Sequence, residues 1–130
     1  MGMEQAVTFS GEPPAWEAVR GLLAGHGFPV QARMIDNELA FPDEAPPAGW
    51  RELRVGTPQG MVTLRRGPRR VVCVTWGNAD AALRQAWNAL AWAWAEVGGG
   101  RVEAADGPLA AADYRARADL PPPLRPGGGG

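Results

Sequence analysis

The sequence contains one cysteine, one histidine, one serine and no lysine. A single thiol, Cys73, excludes an intramolecular disulfide, and Cys73 with His26 falls short of the three or four soft ligands of a zinc site. The 14 acidic residues are scattered, and no D-x-D-x-D-G loop is present to hold calcium. Neither G-x-G-x-x-G nor G-x-x-x-x-G-K-[ST] occurs, so nucleotide cradling has no motif behind it and no cofactor is expected. No apolar run reaches about 18 residues, and no basic segment followed by an apolar stretch opens the chain. Neither a membrane partner nor export is expected, and the location that follows is cytoplasmic. A formal net charge of −1 gives no global field toward nucleic acid or an anionic surface.

What is present fits one domain: 130 residues, 45% hydrophobic and 21% charged. Gln5 to Phe9 alternates weakly as a strand, and Pro13-Pro14 then opens a helix with Trp16, Val19, Leu22 and Leu23 on its apolar stripe, closed by Gly25-His26-Gly27. Val30 to Ile35 reads as a strand, with Asp36-Asn37 as a turn into Glu38 to Phe41. Pro42 to Gly49 reads as a surface loop. W-R-E-L-R-V, M-V-T-L-R-R and R-R-V-V-C-V-T-W form a meander, turned at Thr57-Pro58-Gln59-Gly60 and Gly67-Pro68. Period two places Leu53 with Val55, Val62 with Leu64, and Val72 with Val74 and Trp76 on its core face, leaving Cys73 opposite. A second helix is expected from Ala79 to Val97, capped by Asn78 and ended by the glycines at 98–100.

The expected fold is α+β in two layers: an antiparallel β-meander with two main helices packed on one face, in the order β-α-β-β-β-β-α. Residues 1–107 form the domain. Residues 108–130 carry a short helix from Leu109 to about Arg117 and an extended Pro/Gly-rich tail, partly disordered.

Two features point toward function. The second helix carries Trp92 about 180° from its stripe of Leu83, Trp87, Leu90, Trp94 and Val97. Either the C-terminal segment folds back over it, or Trp92 with Ala89 and Gln85 meets a protein partner or a second copy. The leading reading is a non-enzymatic module acting by such contact, as an oligomer or accessory subunit. The alternative is anion or nucleic-acid binding by Arg65, Arg66, Arg69 and Arg70 at one hairpin tip, with Arg51 or Arg54 across the sheet. No catalytic set emerges, because Ser10, Cys73 and His26 lack the neighbours that activate a nucleophile or a base.

Overall fold

A computed structural model describes residues 2–41, 44–104 and 107–126. Its elements run β1 Gly2–Thr8, α1 Trp16–Gly25, β2 Gln31–Ile35, β3 Glu38–Leu39, β4 Glu52–Thr57, β5 Gly60–Gly67, β6 Arg70–Trp76, α2 Ala81–Gly98, β7 Arg101–Ala104, β8 Gly107–Ala110 and α3 Ala111–Arg117, then a 3₁₀ turn at Pro122–Leu124. The strands form one antiparallel sheet in the order β3-β2-β4-β5-β6-β1-β7-β8, and the helices pack on one face of it. The α+β meander read from the sequence is therefore present, enlarged by three strands. The segment from Arg101 carries the β7–β8 hairpin, so the chain past 107 continues the same sheet instead of trailing from it. The expected disorder of the closing glycines, 127–130, lies outside the described residues.

The β2–β3 turn follows from its two residues. Asp36 and Asn37 both take positive φ, 49° and 70°, which a two-residue hairpin of right-handed twist demands and which Asp and Asn tolerate. Asp36 also accepts hydrogen bonds from the backbone N–H groups of Arg51 and Glu52, each at 2.8 Å, pinning the entry of β4. Those N–H groups, Glu52 first, hold its carboxyl below the ordinary value of 3.8. A carboxylate with a lowered folded pKa adds stability above that ordinary value and loses it as the pH falls through the folded one. Asp36→Asn, which keeps the turn geometry, is expected to cost about 1 kcal/mol near neutrality. Urea unfolding of both proteins should show the gap closing in acid; a gap independent of pH would refute this role.

Side-chain alternation fills the core. Leu53, Val55, Val62 and Leu64 are all fully buried beneath the helices, as their spacing predicts. Strand β6 is the correction: Val71 and Cys73 are fully buried and Thr75 nearly so, while Val72, Val74 and Trp76 face away. The register decides this, because Leu64 opposes Cys73 and Arg65 opposes Val72, so β6 must point its odd residues inward. Cys73 serves as a small hydrophobe in the row Leu53, Leu64, Cys73.

Helix α2 starts two residues later than read. Asp80, not Asn78, caps it, accepting from Leu83 N at 2.8 Å. Its apolar circumference has three covers: the sheet, α1 and α3. Toward α1, Trp94 meets Trp16 and Trp50 at ring separations of 6.1 and 6.0 Å. At its end Gly99 turns left-handed at φ 63°, and a Cβ at Gly98 would lie 2.5 Å from the Phe9 ring, so the glycines permit close approach as well as termination. Among the described residues no helix is long and apolar enough to cross a membrane.

Candidate functional site

Helix α2 is occupied where a partner was expected. Trp92 is only 2% exposed: His26 meets it edge-on at 5.6 Å and the Arg115 guanidinium lies 5.0 Å over its ring. Ala89 is fully buried, and Gln85 donates to Asp119 at 3.2 Å. Leu120 and Leu124 are fully buried in the same core. The segment is clipped by polar contacts: Asn88 Nδ2 donates to Asp119 O at 2.9 Å, and Arg115 Nε to Leu124 O at 2.8 Å. The Tyr114 hydroxyl donates to Gln5 Oε1 at 2.8 Å and lies 3.0 Å from Asn88 Oδ1. Of the two fates open to Trp92, the structure has the chain's own C-terminal segment over it.

The four hairpin arginines are divided between the two faces. Arg65 lies on the face away from the helices, 3.3 Å from Glu52 and 3.9 Å from Glu4. Arg66 lies on the helix side, where it donates to Trp50 O at 2.9 Å and stacks over the Trp50 ring at 5.2 Å. Arg69 takes φ 58° in the turn, and Arg70 stands exposed at the start of β6. Alternation along two strands separates charges that look clustered in the sequence, so the four do not converge on one anion.

What the structure does bring together is the sheet face that, among the described residues, no helix covers. Glu4 of β1, Glu52 and Arg54 of β4, Met61 of β5 and Trp76 of β6 line a hollow of about 560 Å³ there. The ladder sets Arg54, Thr63, Val74 and Glu4 in one row across β4, β5, β6 and β1. Met34 and Leu39 extend that row toward the β3 edge. Arg54 donates to Met34 Sδ at 3.8 Å and has no acidic partner among the described residues.

Four large apolar side chains are left exposed among the described residues: Leu39 at 85%, Phe41 at 79%, Trp76 at 69% and Met61 at 43%. Met61, Trp76 and Leu39 belong to this face by register, and Phe41 follows Leu39 two residues later. Alternation counted from Val72 places Trp76 in the core, but β6 is apolar at successive positions and period two then fails to choose a side. The turn at Gly67-Pro68 held the missing signal, since pairing Gly67 with Arg70 sets the phase of the whole strand.

Complete burial pushes the Cys73 thiol far up, and burial is also the main cause raising the Tyr114 hydroxyl, so both stay protonated at neutral pH. No group of three or more His, Cys, Asp or Glu suited to a metal ion occurs among the described residues.

Fold and surface together define a two-layer α+β domain with one sheet face covered by helices and the other carrying exposed apolar and charged side chains. No protein-family model, no curated protein and no solved structure matches the chain.

Proposed function

We propose that this chain is a non-enzymatic contact module of the cytoplasm, and that its contact surface is the open face of the sheet. One observation carries the reading: the large apolar side chains left exposed lie on or beside that single face, while α2, for all its apolar circumference, is satisfied within the chain. Scattered exposed apolar residues need no explanation, but a cluster rimmed by charge marks an interaction surface. Trp76, amphipathic and rigid, with Met61 beside it, is the kind of anchor on which interface energy concentrates. Glu4, Glu52, Arg54 and Arg65 around them supply orientation and partner choice more than affinity.

Size exclusion of a native extract tests the reading. The wild-type chain is expected to elute well above its own 13.8 kDa, and Trp76→Glu, which changes an exposed position, to elute alone with an unchanged melting temperature. A wild-type chain that elutes at its own mass would overturn the reading.

A further inference from the structure

We propose that the open face is covered by a second copy of this chain, the two sheets packed face to face about a twofold axis parallel to the strands. The inference rests on the open face being the contact surface and names its occupant. The midline of the sheet falls between β5 and β6, the fourth and fifth of its eight strands. An axis over that line sets β4 of one copy on β1 of the other, and β5 on β6, because β4 and β1 stand equally far from it on opposite sides. Arg54 and Glu4 occupy the same cross-strand row, separated by Thr63 and Val74. The rotation therefore carries Arg54 over the second copy's Glu4 and, by symmetry, Glu4 over its Arg54. Among the described residues Arg54 has no acidic partner and Glu4 has only the contact at 3.9 Å from Arg65, so both have capacity for the exchange. In the next row of the face the same rotation carries Met61 over the second copy's Trp76, a sulfur-on-indole contact made twice.

An axis running across the strands over the Arg54 row would set β4 on β4 and Arg54 against Arg54, a like-charge pairing that specificity works against. An isologous pair must be self-complementary, and the axis along the strands makes this face so. Aligned sheets also pack within about 30° of each other, as an axis along the strands requires. Eight strands of two to eight residues, rising about 3.3 Å per residue and spaced about 4.8 Å apart, offer roughly 700 Å² per copy, close to the roughly 800 Å² per partner of a stable interface. A net charge of −1 adds little repulsion between copies.

Sedimentation equilibrium of the purified full chain, from about 1 µM to a few hundred µM, is the test. The wild type is expected to dimerise. Glu4→Arg and Arg54→Glu should each weaken the dimer at least tenfold, and the double reversal should recover most of that loss. Trp76→Ser should give a monomer of unchanged fold. A wild type that stays monomeric overturns the second copy, and if the extract complex persists the contact reading stands without it. A dimer indifferent to both charge reversals overturns the orientation. A monomer that gains mass only on adding oligo-dT overturns the proposal in favour of an anionic chain on these arginines.

Discussion

A chain ending at Ala110 is expected to melt far below the full-length protein and to emit at a redder wavelength. The cut removes Tyr114, Leu120 and Leu124, three side chains buried against α2 or its neighbours. Each such burial is worth about 1.5–3 kcal/mol, so the loss runs to roughly 5 kcal/mol or more. Small domains hold only about 5–15 kcal/mol in total, and much of the truncated population should unfold. Trp92 loses Arg115 from its face, and Asn88 loses its bond to Asp119 O. Urea midpoint and tryptophan emission, recorded on both chains, read this directly. An unchanged midpoint with unchanged emission would mean that the C-terminal segment adds nothing to the core.

The second large effect belongs to Trp94. Its ring fills the space between Trp16 and Trp50 with no exposure at all, and Arg66 stacks over the Trp50 ring. Trp94→Ala opens a cavity between the two remaining rings and is expected to cost about 3–5 kcal/mol. Trp94→Phe should cost far less, because it keeps an aromatic ring and removes an indole N–H that is buried without a hydrogen-bond partner. Equal losses in the two variants, measured by denaturant unfolding, would contradict the packing account.

How far the sequence disclosed this arrangement depends on the element. Leu53, Val55, Val62 and Leu64 alternate with polar or small residues, and their inward face was legible. Strand β6 offers valine at 71, 72 and 74, so its phase is set by pairing with β5 across the turn, a long-range fact that period two does not encode. The apolar circumference of α2 predicts burial on several sides, with the C-terminal segment as one of two covers expected for Trp92, but it does not disclose the contacts by which residues 111–126 make that cover. That cover depends on Tyr114 reaching Gln5, 109 positions away. The clustered arginines misled for a local reason: neighbours in a strand point to opposite faces, so Arg65 and Arg66 could not act together. The open face is not legible for the same cause as Trp76, since its members come from six strands and none is distinctive alone.

The claim that the open sheet face is the working surface is tested most directly by oxidative footprinting of the protein in its assembled form and after dilution. Met61 and Trp76 are expected to be shielded in the assembly and reactive on dilution, while Trp92, enclosed by the chain itself, stays unreactive in both. Equal reactivity of Met61 and Trp76 in the two states would contradict the account.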